Sequence, residues 1–146
     1  MKLISLLEKL EYTCLQGSTD QEVKNVIYDS RKVEEGSLFV CIRGAVVDGH
    51  KFVPDVVAKG AKVLIVEEAV EAPEDVTVIL VKDTRYAMAF ISAAYFGYPA
   101  EKLKTIGITG TKGKTTTTYM VKSILENAGY KVGLIGTIEA IIGDKV

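Results

Sequence analysis

The 146-residue sequence has no tryptophan, only two cysteines, one histidine and three prolines. Cys14 and Cys41 have no second cysteine or histidine at the spacing of a zinc site, which argues against a structural metal centre. No apolar run approaches the ~20 residues that a membrane span needs. The formal net charge of −1 argues against a dedicated nucleic-acid binder, because such proteins usually present a strongly basic surface.

Three isolated features have simple structural interpretations. Cys41 lies in the apolar run 38–42, so we interpret it as a small buried hydrophobic residue. The single histidine, His50, has no partner cysteine and is interpreted as a turn or cap residue rather than a catalytic base. In residues 1–10 the apolar positions have helical spacing, and Glu8 and Lys9 interrupt any signal-peptide core. These residues predict an amphipathic helix on a cytoplasmic protein.

The first two thirds of the chain alternate between short apolar runs and helical patterns, which is typical of an α/β domain. We expect a small domain with a mixed sheet. Loops are predicted at 16–22, 44–49 and 67–75. Predicted strands span residues 23–28, 38–43, 62–66 and 77–81, and predicted helices span 51–59 and 84–96. Asp83 is a candidate N-cap of the second of these helices. Because that helix is apolar on most sides, we expect it to pack on more than one face.

Residues 97–100 interrupt the pattern and mark a predicted boundary between a domain at 1–98 and a second segment at 101–146. The second segment predicts a strand at 105–109, a helix at 113–128 and a strand at 132–135. It is shorter than the ~100–150 residues of a usual domain. We therefore expect it to be the first β–loop–α–β unit of a truncated parallel-sheet domain, whose strands lack their sheet partners.

A phosphate-binding loop is predicted between the strand at 105–109 and the helix that follows it. Gly110 and Gly113 allow a tight turn that exposes backbone N–H groups toward an anion. The N-terminus of the helix adds a partial positive charge of ~0.5. Lys114 is expected to reach the β- and γ-phosphates, and the Thr115 hydroxyl is the expected magnesium ligand. The general pattern G-x-x-x-x-G-K-[ST] would require a glycine at Ile108, where this sequence departs from it.

That departure points to a particular family. The run Gly110-Thr111-Lys112-Gly113-Lys114-Thr115-Thr116 resembles the G-T-N-G-K-T-T loop of the Mur ligases, in which asparagine usually stands at the position of Lys112. The resemblance implies a P-loop ATPase domain in which Lys114 is catalytic and Thr115 binds Mg²⁺. The ATP-binding residues that it implies are Gly110, Thr111, Lys112, Gly113, Lys114, Thr115 and Thr116.

The first domain extends this resemblance to essentially the whole chain. It is similar to the N-terminal UDP-recognition domain of MurE and MurF enzymes, and the spacing to the phosphate loop is that of MurE. The matching motifs are Asp29-Ser30-Arg31, Gly36-Ser37-Leu38-Phe39-Val40, Arg43-Gly44 and Asp48-Gly49-His50-Lys51-Phe52. By this resemblance Tyr28 and Ser30 contact the uridine end of the substrate, and Ala45, Val46 and Val47 fill the uracil-binding loop.

The sequence leaves open the roles of Asp29 and Arg31 and the way in which the loop at 45–47 recognises a ligand. Asp29 and Arg31 either take part in the site or form a local cap and salt bridge that shapes the turn. The apolar loop at 45–47 cannot form side-chain hydrogen bonds, so only backbone groups and packing are left for recognition there.

The resemblance implies an ATP-dependent ligase that adds meso-diaminopimelate or L-lysine to UDP-N-acetylmuramoyl-L-alanyl-D-glutamate through an acyl phosphate. ATP, Mg²⁺ and the two small-molecule substrates are then its ligands, and we expect a cytoplasmic enzyme whose full-length form is a monomer. The chain alone is expected to be inactive. Two alternatives remain, namely another P-loop enzyme, such as a small-molecule kinase or a cyanophycin-synthetase-like ligase, and a nucleotide-binding module without catalysis.

Overall fold

The computed structural model describes residues 1–45 and 47–143, and the chain divides into two compact units, Met1–Leu103 and Lys104–Val146. The first unit contains three α-helices, α1 (Leu3–Leu6), α2 (Val53–Ala58) and α3 (Thr84–Tyr95). Its five strands are β1 (Thr13–Gln16), β2 (Asn25–Ile27), β3 (Ser37–Val40), β4 (Val63–Val66) and β5 (Thr77–Leu80). Short 3-10 turns occupy Ser30–Lys32, Gly49–Phe52 and Pro99–Lys102.

The five strands form one mixed sheet in the order β1-β5-β4-β3-β2. Strands β2 to β5 are parallel to their neighbours, and β1 pairs antiparallel with β5. The prediction of a small α/β domain with a mixed sheet is therefore confirmed. Because β2 to β5 are parallel, their C-terminal ends meet at one edge of the sheet, which we call the carboxyl edge.

Both faces of the sheet are covered, and β4 lies at its centre with all four residues buried. On one face Val63 and Ile65 pack with residues of α1 and α3, including Leu6 and Ile91. On the other face Leu64 and Val66 pack with α2, and Cys41 is buried there too. Burial raises the pKa of the Cys41 thiol to about 12, consistent with its interpretation as a buried hydrophobic residue.

The first unit differs from the sequence-based expectation in two respects. Strand β1 was not predicted, because three of its four residues are exposed and it has no apolar run to mark it. The first helix has only four residues, Leu3–Leu6. The predicted cap of α3 is confirmed, because the helix begins at Thr84 and the Asp83 carboxylate accepts from the Tyr86 N–H at 2.9 Å.

The expectation that α3 packs on more than one face is wrong within the first unit. Its buried residues form a single stripe, Thr84, Ala87, Ile91 and Ala94. Tyr86 on another side of the helix remains exposed.

The longest helices of the described residues are α3 and α4 (Lys114–Asn127), and none of those described is both long and apolar enough to cross a membrane.

The second unit contains α4 and a hairpin of β6 (Gly133–Ile135) and β7 (Ala140–Ile142). The predicted strand at 105–109 is absent, although the structure describes all of residues 104–113. A strand forms only by hydrogen bonding to a neighbour, and the described part of this unit offers no neighbour to that segment. The predicted strand at 132–135 is present as β6, but it pairs antiparallel with β7, which was not predicted.

Helix α4 has no buried residue. Its predicted apolar stripe is only partly covered within the second unit, since Val121 and Leu125 are half-buried while Met120 and Ile124 are exposed. The Tyr119 hydroxyl donates to the Glu139 carboxylate, which links the helix to the hairpin. The helix and the hairpin are therefore joined by a side-chain hydrogen bond, while much of the apolar stripe of α4 stays exposed.

Replacing Ile65 with alanine should lower the free energy of unfolding of the first unit by about 2–5 kcal/mol, because it leaves a cavity in the central strand. Ile65 is fully buried, whereas Ile4 is 50% exposed on α1. The matched substitution Ile4→Ala should change the free energy of unfolding by less than about 1 kcal/mol. Urea unfolding followed by circular dichroism measures both, and equal losses in the two variants would contradict the central position of β4.

Candidate functional site

The residues predicted to bind uridine lie at the carboxyl edge. Tyr28 and Ser30 directly follow β2, and the loop that contains Ala45 and Val47 follows β3, its parallel neighbour. The structure therefore brings the two predicted groups to the same edge of the sheet, which is where open α/β sheets usually bind ligands. Tyr28 is 64% exposed and Ser30 is half-buried. The carbonyl of Ser30 accepts from the Lys59 ammonium group at 3.0 Å, which holds the turn against the end of α2.

Asp29 and Arg31 form the local cap and salt bridge that was one of their two interpretations. The Asp29 carboxylate accepts from the Arg31 N–H at 3.1 Å and from the guanidinium Nε at 2.9 Å and Nη2 at 2.8 Å. The side-chain and backbone hydrogen bonds from Arg31 lower the pKa of Asp29 from 3.8 to about 2. This geometry shapes the turn that presents Ser30.

The two ends of the predicted uracil-binding loop pair with each other as in a β-hairpin. Gly49 N–H donates to Ile42 O at 2.9 Å, and Gly44 N–H donates to Val47 O, also at 2.9 Å. An isolated antiparallel bridge between Arg43 and Asp48 lies between these two bonds. Ala45 and Val47 are exposed, and the third predicted residue, Val46, lies outside the described residues. The stem of the loop is thus held by backbone bonds from both sides.

His50 joins the base of this loop to the end of β4. Its ring Nδ1 lies 2.6 Å from Asp48 Oδ1, and its ring Nε2 accepts from the Glu67 N–H at 2.9 Å. An acceptor nitrogen carries no proton, so the proton of the neutral ring is on Nδ1 and is donated to Asp48. The structure therefore agrees with the interpretation of His50 as a turn residue.

Glu67 extends this network to the start of α3. Its Oε1 accepts from the Thr84 N–H at 2.8 Å and from the Thr84 hydroxyl at 2.7 Å. Burial opposes ionisation of Glu67, but the bonds from Thr84 and the charge of Arg43 outweigh it and lower the pKa of the carboxyl group. Sequence reasoning placed Glu67 in an acidic loop and missed this role. Its position directly after a buried parallel strand is the signal that could have indicated it.

Arg43 completes the network on the solvent side. Its guanidinium donates to Asp48 Oδ2 at 3.1 Å and to Glu68 Oε2 at 2.8 Å. The Arg43 carbonyl accepts from Arg85 on α3 at 3.3 Å. One stem residue of the loop is therefore bound to side chains that follow β4 and β5.

The predicted phosphate loop occurs at the start of α4. Gly113 is the N-cap residue, with a φ of 77°, and Gly110 has a φ of 151°. Both values lie in the region that glycine tolerates and side chains disfavour. No side chain caps the helix, and its first internal bond runs from Thr117 N–H to Gly113 O. The N–H groups of Lys114, Thr115 and Thr116 consequently have no intrahelical acceptor.

Lys114 and Thr115 are suitably placed for the predicted chemistry. The Lys114 ammonium group donates to the Gly110 carbonyl at 2.5 Å, so its charge lies over the loop. Thr115 is half-buried, whereas the other predicted ATP-binding residues are exposed: Gly110, Thr111, Lys112, Gly113, Lys114 and Thr116. Within residues 1–45 and 47–143 no cluster of three histidine, cysteine or acidic side chains could hold a metal ion. The Thr115 hydroxyl offers an oxygen, the kind of ligand that Mg²⁺ prefers.

Comparison with known proteins identifies the family. The profile described as "Mur ligase family, catalytic domain" matches residues 22–96, just over half of the chain, and "Mur ligase middle domain" matches residues 108–145. The chain belongs to the Mur ligase family. It is 54% identical over 99% of its length to the UDP-N-acetylmuramoyl-L-alanyl-D-glutamate--2,6-diaminopimelate ligase of Clostridium perfringens. It spans 30% of that relative's length.

Solved structures of Mur ligases have the same fold. The crystal structure of MurF from Acinetobacter baumannii superposes with a TM-score of 0.68 at 35% identity, over 86% of this chain and 27% of that one. MurF ligase from Thermotoga maritima, solved in complex with ADP, gives a TM-score of 0.53 at 27% identity. That match covers 72% of this chain and 24% of the Thermotoga chain.

The acid stability of the first unit should depend on Asp48. Hydrogen bonds from the His50 backbone and ring lower the pKa of Asp48 from 3.8 to about 2. A carboxylate with a depressed pKa stabilises the folded state above pH ~3.8, and this contribution is lost as pH falls toward 2. Urea unfolding measured between pH 5 and pH 2 should therefore show a shallower loss of stability for Asp48→Asn than for the wild type. Identical slopes would contradict the hydrogen bonding described.

Proposed function

We propose that this chain supplies the N-terminal part of an ATP-dependent ligase that adds a diamino acid to UDP-N-acetylmuramoyl-L-alanyl-D-glutamate. The first unit binds the UDP end of this substrate, and the second begins the ATP-binding domain. The observation that carries the proposal is the glycine-flanked N-terminus of α4, with Lys114 folded over it, in a member of the Mur ligase family. The name of the Clostridium perfringens relative supports 2,6-diaminopimelate as the amino acid.

The reaction would proceed in two steps. The carboxylate of the UDP-linked substrate attacks the γ-phosphorus of ATP and releases ADP, which leaves an acyl phosphate. The amino group of the incoming amino acid then attacks the acyl carbon, so an amide forms and inorganic phosphate and a proton are released. Charge on the transferring phosphoryl group is the feature that a phosphate loop stabilises.

The described residues of the loop fit that task. The three N–H groups at positions 114–116 and the positive end of α4 attract the phosphate oxygens, and the Lys114 ammonium group adds a full charge. Mg²⁺, when bound, neutralises further charge on the phosphates, and the Thr115 hydroxyl would be its ligand from this chain. The Thermotoga maritima MurF structure with ADP supports nucleotide binding in this family.

The carboxyl edge of the first unit would hold the uridine end. The Ser30 hydroxyl can both donate to and accept from uracil or ribose, and the exposed Tyr28 ring offers an apolar surface beside it. Ala45, Val46 and Val47 have no side-chain hydrogen-bonding groups, so that loop would contribute backbone groups and packing. A cytoplasmic location, where ATP and UDP-linked precursors are available, is part of this proposal.

Lys114→Ala should abolish ligation and leave binding of the UDP-linked substrate nearly unchanged, because the lysine and Ser30 lie in different units. The measurement is ligase activity, together with calorimetric titration of the UDP-linked substrate, in an enzyme of the relatives' length that contains this chain. Lys122→Ala, on the same helix but paired with Glu126, is the matched control and should retain activity. A loss of substrate affinity that matches the loss of rate would contradict this separation of roles.

Ser30→Ala should weaken binding of the UDP-linked substrate by up to about tenfold, the effect of one lost hydrogen bond to a neutral group. ATP affinity should stay the same. The matched control is Ser123→Ala on α4, whose carbonyl rather than its hydroxyl makes the hydrogen bond to Asn127. If titration gives the same affinity for Ser30→Ala and the wild type, Ser30 only shapes the turn. Failure of the wild-type protein to bind any uridine nucleotide would favour another P-loop enzyme or a simple nucleotide-binding module.

A further inference from the structure

The carboxyl edge contains a buried titratable group with no part in the proposed chemistry. The His50 side chain is only 5% exposed. Both of its ring nitrogens are used, one with Asp48 at the base of the loop after β3 and the other with the Glu67 N–H after β4. A buried histidine whose two nitrogens bind different segments fixes the distance between those segments.

The segment held in this way is the predicted uracil-binding loop. Asp48 is one end of its stem, and its carboxylate accepts from the His50 N–H at 3.0 Å and from Arg43 Nε at 3.1 Å. Arg43 is the other end of the stem, and the two residues form the isolated bridge. Both ends of the loop are therefore connected through Asp48 to His50, and through His50 to the centre of the sheet.

Backbone packing at the base of the loop points in the same direction. A Cβ atom on Gly49 would lie 2.7 Å from Ile42 N and 2.8 Å from Ile42 O. The chain that leaves the loop thus runs against the chain that enters it with no space for a side chain, which keeps the Asp48 and His50 side chains in register with the stem.

The composition of the loop makes its position important. Ala45, Val46 and Val47 cannot form hydrogen bonds with their side chains, so polar recognition by this loop can use only backbone N–H and C=O groups. A long side chain can compensate for a small displacement of its backbone by changing rotamer, but a backbone group cannot. The affinity of such a loop for a ligand therefore depends on how rigidly its stem is held.

We propose that Asp48 and His50 are positioning residues, which hold Gly44, Ala45 and Val47 in the place where their backbone groups recognise the uracil of a uridine nucleotide. This inference rests on the proposed function of the first unit. Neither side chain needs to touch the nucleotide, since they act through the stem of the loop. Glu67 anchors the far end of the connection by its backbone N–H and by its bonds to Thr84.

The test is calorimetric titration of the 146-residue chain with UDP. His50→Ala should weaken UDP binding by about tenfold or more, as expected when two hydrogen bonds are lost. Gln16→Ala is the matched control, because Gln16 donates to Pro73 O at 2.6 Å and Val76 O at 2.8 Å at the opposite edge of the sheet. The affinity of Gln16→Ala for UDP should stay within about twofold of the wild type, although this variant also loses two side-chain hydrogen bonds.

A second variant keeps the proposal testable if His50→Ala does not fold. In His50→Gln the amide oxygen can still accept from the Glu67 N–H, while the donation to Asp48 is weakened. Its affinity for UDP should lie between those of the wild type and His50→Ala, about threefold below the wild type. Wild-type affinity in a folded His50→Gln or His50→Ala variant would overturn the proposal, as would equal losses in His50→Ala and Gln16→Ala.

Steady-state kinetics in an enzyme of the relatives' length separates positioning from simple destabilisation. A positioning role predicts a raised KM for the UDP-linked substrate with little change in kcat or in KM for ATP. A purely structural role would lower the amount of active enzyme, so apparent kcat would fall while both KM values stay the same, and the proposal would be wrong. If the wild-type chain does not bind UDP at all, the proposed function of the first unit fails. If the wild type binds UDP and the His50 variants bind it equally well, only the positioning role of Asp48 and His50 fails.

Discussion

Burial of β4 on both faces is the constraint on which the first unit depends. All four of its residues are inaccessible to solvent, so α2 must cover one face while α1 and α3 cover the other. Parallel strands need crossover connections, and α2 lies in the crossover from β3 to β4, whereas α1 precedes β1 and α3 follows β5. The same arrangement brings the ends of β2 to β5 to one edge. The location of the candidate uridine site is therefore a consequence of how the core is built.

Where parallel strands end, the backbone leaves a buried layer and its polar groups need partners. In this protein the Glu67 N–H finds the His50 ring, and the Thr84 N–H finds the Glu67 carboxylate. Each bond satisfies a group that would otherwise be unpaired, which is worth more in a half-buried site than at an exposed one. The groups that complete the fold at this edge are also those that hold the neighbouring loop.

Much of the fold of the first unit and the position of the phosphate loop could be predicted from the sequence. The apolar runs of β3, β4 and β5 and the glycines at 110 and 113 are local features, and local features predicted the parallel strands and the start of α4 correctly. Strand β1 was missed because its exposed side chains carry no pattern, and the strand expected at 105–109 did not form because strand pairing depends on distant residues. The contact between His50 and Glu67 joins positions 17 residues apart. No spacing rule predicts such a contact.

In both candidate sites the proposed recognition relies on backbone groups, supplemented by the Lys114 ammonium group in one site and the Ser30 hydroxyl in the other. At the start of α4 the helix geometry directs the N–H groups. The N-cap residue Gly113 has a φ of 77°, which glycine adopts without strain and other residues disfavour. On the proposed function, Lys112 can therefore replace the asparagine usual in Mur ligases without removing these N–H groups, whereas a side chain at Gly110 or Gly113 would be strained. In the first unit no helix directs the loop at 44–47. Its backbone is instead fixed by hydrogen bonds from the side chains of Arg43, Asp48 and His50. In the first unit these side chains orient backbone groups, as the first turn of α4 does in the second unit.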